Sequence, residues 1–153
     1  MSAEPDLIAK AVELAARAHA GQKDKSGNPY LLHPLRVMLQ MHSLEERLVA
    51  ILHDVVEDSD LTPADLLSAG FPVAVVEAIE CISRKADESY EQFIDRVSRN
   101  RLAAKVKVED LRDNLDLTRL PVLSENDFTR VTKYHRALVS LRDADTSDSQ
   151  NRA

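Results

Sequence analysis

The chain has 153 residues, a formal charge of −6 at pH 7, 44% hydrophobic and 4% aromatic residues, three glycines and no tryptophan. That length predicts one domain with a real core, and an apolar set weighted to Leu, Val, Ile and Ala favours packed helices. The acidic balance argues against a broad nucleic-acid surface, which needs a basic stripe, and leaves room for an anionic small molecule only where basic side chains converge locally.

The single cysteine, Cys81, excludes an internal disulfide and suits a reducing compartment. It lies in the apolar run 73–82, where a small core residue is expected. No apolar stretch approaches the ~18 residues of a membrane span. The first residues carry acidic groups where a signal peptide would carry basic ones. The expectation is a cytoplasmic protein.

Residues 6–20 read as a helix, with Ile8, Val12, Ala15 and His19 on one apolar stripe. A histidine at a helix C-terminus is expected to pack or cap rather than ligate. Residues 21–30, GQKDKSGNPY, form a loop in which Asn28-Pro29 and Gly27 are turn chemistry. Lys23 and Lys25 project from it, either as solvated charges or as phosphate contacts. His33-Pro34 opens a helix to about His42, because proline is at home in the first turn. A histidine at that mouth can turn inward.

Ser43 and Glu46 make an S-x-x-E capping box for the central helix, which ends RLVAILHDVVED at Asp58. At ~100° per residue, His53, Glu57, Asp54 and Asp58 share one face, interrupted only by the small Ala50. No lysine or arginine lies within a turn of them. That is either a solvated surface or half of a metal site, since imidazole with carboxylate suits a divalent transition ion.

Thr62-Pro63-Ala64-Asp65 opens the next helix, which stops at Gly70. Residues 72–83 form another, apolar at Val73, Val76, Ile79 and Ile82. A charged connector, 84–89, leads to an amphipathic helix over 88–100 through Tyr90, Phe93, Ile94 and Val97. In the helix 102–117, Ala103, Val106, Asp110 and Asn114 repeat at helical spacing. Asp110 therefore sits among apolar neighbours, where an unpaired carboxylate is costly. A metal, a basic partner such as Lys107 or Arg112, or helix-end hydrogen bonds would satisfy it. The last helix spans 124–142, with Phe128, Val131, His135, Leu138 and Leu141 in its predicted buried stripe, and Arg130 and Tyr134 at i, i+4 on one face. Residues 1–143 form the predicted domain, an all-α bundle of about seven or eight helices. The polar, acidic residues 144–153 read as a disordered tail.

Four segments occur in order: AHAGQKDKSGNPYLLHP (18–34), ILHDVVED (51–58), VKVEDLRDNL (106–115) and RVTKY (130–134). Together they resemble the HD-domain metal-dependent phosphohydrolases, above all the hydrolase domain of RelA/SpoT proteins and the small alarmone hydrolases. The resemblance extends over nearly the whole expected domain. It implies that His33, His53, Asp54 and Asp110 bind one divalent metal ion, usually manganese in that family. It implies that Glu57 and Asp58 work on the nucleophilic water, and that Lys25, Lys85, Asn114, Arg130 and Tyr134 contact substrate. The implied reaction is removal of the 3′-pyrophosphate from (p)ppGpp or a related alarmone. With no synthetase segment following in this sequence, degradation alone is expected. A different nucleotide (ppApp, NADPH or a nucleoside phosphate), a non-catalytic nucleotide sensor and a bare helical bundle are the competing readings. The retained Glu57-Asp58 pair speaks against the sensor.

Two positions depart from the pattern. Asp24 stands where the alarmone hydrolases commonly have an arginine that stacks on the purine, which bears on substrate identity. Glu109 stands where a small residue usually precedes the metal aspartate, and at about 100° from Asp110 it should point away.

Overall fold

The computed structural model describes residues 4–151. Among them are nine α-helices: α1 (Glu4–Ala18), α2 (Leu32–Leu39), α3 (Leu44–Leu52), α4 (Val55–Asp58), α5 (Pro63–Ser68), α6 (Val73–Ile82), α7 (Tyr90–Ser98), α8 (Arg101–Leu115) and α9 (Glu125–Asn151). A single 3₁₀ turn, Leu117–Arg119, follows α8. The only extended pairing among the described residues is an isolated bridge between Lys23 and Pro29. The all-α expectation holds.

The core is built around α3, which packs against α1, α2, α6 and α8. Leu48, Val49, Ala50, Ile51 and Leu52 are all fully buried. The segment is thus apolar all round, as a helix enclosed by four others must be. The expected amphipathic helix through Asp58 does not form. It breaks at His53–Asp54, which accounts for one more helix than foreseen. The break has a local cause. His53 Nδ1 donates to the Ala50 carbonyl at 2.6 Å, placing a side chain on an acceptor the next turn would use. Asp54 then adopts φ −101°, ψ −3°.

Helix starts follow the predicted chemistry. Both arms of the capping boxes Ser43/Glu46 and Thr62/Asp65 are made. Gly70 takes φ 93° just past α5, a conformation that ends the helix and suits glycine. Ends differ from expectation by one to a few residues, as fraying ends do. Cys81 is half-buried at the edge of the core.

The stripe of α9 differs from its prediction. Phe128 is 53% exposed and His135 is exposed, while Asp127, Ala137, Leu138 and Leu141 are buried. The inward face runs through Arg130 and Tyr134, whose polar ends line a cavity. The hydrophobic pattern is therefore interrupted where the helix meets the site: the predicted stripe holds at Leu138 and Leu141 and fails at Phe128 and His135. α9 continues through 144–151, where the sequence pattern predicts a disordered tail. Every described residue from Arg142 onward is exposed there. No helix among the described residues is long and apolar enough to cross a membrane.

Candidate metal centre and its cavity

Four side chains from three places in the fold meet at one point. His33 comes from the first turn of α2, His53 and Asp54 from the break after α3, and Asp110 from α8. Asp110 Oδ1 lies 2.9 Å from His33 Nε2 and 3.4 Å from His53 Nε2. Asp54 Oδ2 lies 3.1 Å from His53 Nε2 and 4.0 Å from His33 Nε2. Both Nε2 atoms are buried, and neither has a hydrogen-bond partner.

The tautomers follow from the other ring nitrogens. A carbonyl only accepts, so His53 Nδ1 carries the proton that the Ala50 oxygen receives. His33 Nδ1 faces Asp113 Oδ2 at 2.6 Å, which holds its proton in the same way. With Nδ1 protonated, each ring in its neutral form turns a lone pair on Nε2 toward the two carboxylates. Two nitrogen and two oxygen donors of this kind fit a divalent transition ion, with the orienting contacts such ligands need. Burial opposes charge on His33, yet Asp110 and Asp113 hold its imidazole above the ordinary histidine value. The same opposition, with Asp54 and Asp110, raises His53. Protons and a cation thus compete for the same nitrogens.

The surrounding contacts fix these donors. The Tyr30 hydroxyl donates to Asp54 Oδ2, and its ring sits 5.0 Å from His19 and 5.6 Å from His33. Arg36 clamps Asp113 with two bonds of 2.8 and 3.0 Å. Asn114 Nδ2 donates to both the carbonyl and Oδ1 of Asp110 at 3.0 Å. Lys107 Nζ reaches Asp110 Oδ2 at 2.7 Å and lies 5.2 Å over the Phe93 ring. Of the two basic partners foreseen for Asp110, Lys107 takes the role, whereas Arg112 pairs with Glu109. Glu109 points away from the centre, as expected.

Lys107 and Asp110 are a buried pair, with side chains 13% and 7% exposed. Lys107→Met should destabilise the metal-free protein by about 3–5 kcal/mol, because it leaves an uncompensated carboxylate inside. Urea melts should show the loss. Adding a divalent ion should recover part of it, since the ion binds only the folded state and gives Asp110 a new partner. A melt unchanged by the substitution would mean that water already solvates Asp110.

Above the four donors opens a cavity of about 470 Å³, within the usual range for small-molecule sites. Lys25, Asn114, Arg130 and Tyr134 line it. Lys85 does not. Its amide donates to Glu88 Oε1 in the connector, and the neighbouring Arg84 faces the cavity instead. The adjacent carboxylates Glu57 and Asp58 also part. Glu57 lines the cavity and accepts from the Arg84 amide at 2.5 Å. Asp58 accepts from Gln22 Nε2 at 3.1 Å and stands 3.6 Å from His19 Nδ1, on the side that holds the loop. His19 is accordingly a packed residue, also bonded to Gln22.

Asp24 shapes the loop. Its Oδ1 accepts from the amides of Ser26 and Asn28, both at 2.9 Å, around Gly27 at φ 82°. Asp24→Arg would therefore disturb the turn as well as the cavity. Several residues at the site have no role assigned from the sequence: Tyr30, Arg36, Asp113, Arg84, Tyr90 and Lys133. Arg36 and Asp113 had a signal. Arg36 lies three residues after His33 on α2 and Asp113 three after Asp110 on α8, the spacing that keeps side chains on one helix face, whereas Tyr30 sits in the turn before α2.

The net charge of −6 conceals a local reversal. Arg36, Lys107 and Arg119 are paired with Asp113, Asp110 and Asp116. Among the described residues, no ion pair within 4 Å engages Lys25, Arg84 or Lys133, whereas Arg130 pairs with Asp127 through Nη2 at 3.0 Å and keeps Nη1 buried without a partner. The three unpaired cations and this free Nη1 give the cavity an affinity for anions.

A family model described as HD domain matches residues 11–118. A guanosine-3′,5′-bis(diphosphate) 3′-pyrophosphohydrolase of Aquifex aeolicus is 30% identical over 120 residues, covering 71% of this chain and 17% of that protein. The protein of the same name from Vibrio cholerae is 39% identical over 87 residues, covering 53% of this chain and 12% of its own length. A GTP pyrophosphokinase of Myxococcus xanthus is 32% identical over 127 residues, covering 72% of this chain and 17% of that protein. This chain thus spans only 12–17% of the length of these relatives. The solved structure of a metazoan ortholog of SpoT, described as hydrolysing ppGpp, covers 92% of this chain and 86% of its own at TM-score 0.73 and 22% identity, a likeness of fold. With the family model matching well over half of its residues, the chain belongs to the HD-domain family.

Proposed function

We propose that this protein is a manganese-dependent phosphohydrolase that removes the 3′-pyrophosphate from (p)ppGpp or a related alarmone. The observation that carries the reading is the meeting of two imidazole Nε2 atoms with two carboxylates at the floor of a cavity walled by uncommitted cations. His33, His53, Asp54 and Asp110 would hold the ion, which when bound supplies charge to polarise a phosphoryl oxygen and to acidify water. Glu57, at the cavity wall, is the group that takes the proton from the attacking water. Asp58 positions the loop through Gln22. Lys25 and Arg130 bind phosphate oxygens, Tyr134 flanks the nucleoside, and Asn114 steadies Asp110. Such a nucleotide is met in the cytoplasm, where we expect the protein to work. The names of the matched relatives support the substrate class, although one of them is named for synthesis.

The test is a nucleotide panel. Manganese-loaded protein incubated with ppGpp, ppApp and NADPH is expected to release pyrophosphate from ppGpp. Orthophosphate from NADPH alone would move the substrate elsewhere within the same chemistry. Tight binding with no product from any member would replace the enzyme by a sensor.

A further inference from the structure

One cluster on the cavity wall has no part in holding the four donors. Tyr90 opens α7, and two cations flank its ring: Lys133 Nζ at 4.6 Å from the centroid and Arg84 Cζ at 5.6 Å. Lys133 also lies 5.3 Å from the Tyr134 ring. Cation–π contact would explain one such neighbour at an exposed site. It does not explain two cations gathered on one ring with no ion pair to either among the described residues. Partial desolvation, and the charges of Arg84, Lys107, Lys25 and Arg130, hold the Lys133 ammonium below the ordinary lysine value. This crowding is unfavourable until an anion joins it. The Tyr90 hydroxyl is buried without a hydrogen-bond partner, and burial pushes it up to about 12, so it remains a donor at neutral pH. An orphaned donor beside unpaired cations matches a phosphoryl group, which brings several acceptor oxygens and more than one charge.

We propose that Tyr90, Arg84 and Lys133 form a second anion subsite, which binds a phosphoryl group of the substrate other than the one that reacts at the four donors. The inference rests on the phosphohydrolase reading and deepens it: the enzyme selects nucleotides carrying two phosphoryl groups. The second group comes either from the outer phosphate of the leaving diphosphate or from the 5′ chain. Both present the same chemistry to this cluster.

The test compares kcat/KM of wild type, Lys133→Gln and Tyr90→Phe on three nucleotides: ppGpp, guanosine 3′-diphosphate without 5′ phosphates, and guanosine 5′-diphosphate 3′-monophosphate. Lys133 is exposed, so its replacement leaves the fold intact. Lys133→Gln should lower kcat/KM for ppGpp about tenfold, chiefly through KM, as expected for one charge-assisted hydrogen bond. Lys133→Arg should restore most of it. The effect should disappear on one of the truncated nucleotides, and which one identifies the phosphoryl group held. An equal effect on all three, or none on ppGpp, overturns the subsite. If wild type hydrolyses none of them, the reaction reading falls and calorimetry of inorganic tripolyphosphate with metal-free protein decides the subsite alone. Binding at least about fivefold tighter to wild type than to Lys133→Gln supports it. Equal affinities overturn it.

Discussion

His53→Ala is expected to bind no divalent ion after dialysis and to keep less than about a thousandth of wild-type turnover, the factor that several kcal/mol of lost charge stabilisation implies. The imidazole does two things at once. Its Nδ1 proton closes on the Ala50 carbonyl, and its Nε2 faces Asp54 and Asp110 at 3.1 and 3.4 Å. Alanine removes a donor atom and frees the backbone break that aims Asp54. The side chain is only 2% exposed, so some stability is lost too. Asp54→Asn separates the effects, because it preserves shape and removes one negative charge from the donor set. Both variants should fail in metal content and activity together, and excess manganese should rescue Asp54→Asn further than His53→Ala. Full occupancy by elemental analysis in a His53→Ala/Asp110→Ala double variant would sink the assignment.

Glu57→Gln should leave metal content near wild type and lower kcat by a factor on the order of 10²–10⁴, the usual contribution of a positioned base. Partial burial raises the Glu57 carboxyl above the ordinary glutamate value, and the hydrogen bond from the Arg84 amide only partly opposes this. A raised pKa makes a better base at neutral pH and carries a sign. The carboxylate is the active form, so kcat should fall as pH drops through a value above that of an ordinary glutamate. In Glu57→Gln that limb should vanish. Metal content measured at each pH separates this from protonation of His33 and His53, which would release the ion. Loss of the ion from Glu57→Gln at neutral pH would instead make Glu57 a ligand. An equal loss of kcat in Asp58→Asn would return Asp58 to the chemistry, although its carboxylate meets Gln22 and His19 in the structure.

Much of this arrangement is readable along the chain because its causes are local. Capping boxes at Ser43 and Thr62 depend on residues three apart, and both form. The helical character of 102–117 and the burial of Asp110 follow from side chains recurring at the period of one helix. Asp110 is visible too, since a carboxylate on an apolar stripe needs a partner wherever it lies, and His53 and Asp54 stand out as ligand types with no lysine or arginine within a turn of them. The resemblance then orders them into one site. Helical spacing, however, assumes a continuous helix, and that assumption fails at His53–Asp54. On an unbroken helix Asp54 would point about 100° from His53. In the structure the helix is interrupted there, both side chains reach one point, and Glu57 and Asp58, adjacent on α4, meet different neighbours.

Tertiary structure alone decided the rest. His33 and Asp113 are 80 residues apart, and nothing in either segment announces the bond that sets the imidazole's tautomer. The connector after α6 determines that Arg84, not Lys85, faces the cavity, because Lys85 turns with the backbone that its amide ties to Glu88. The cationic wall draws on the loop before α2, that connector and α9, three segments whose charges disappear into a net of −6. Charge summed over a chain has no position. An anion responds to the few cations within a Debye length that lack a nearby carboxylate, and only folding sets which cations those are.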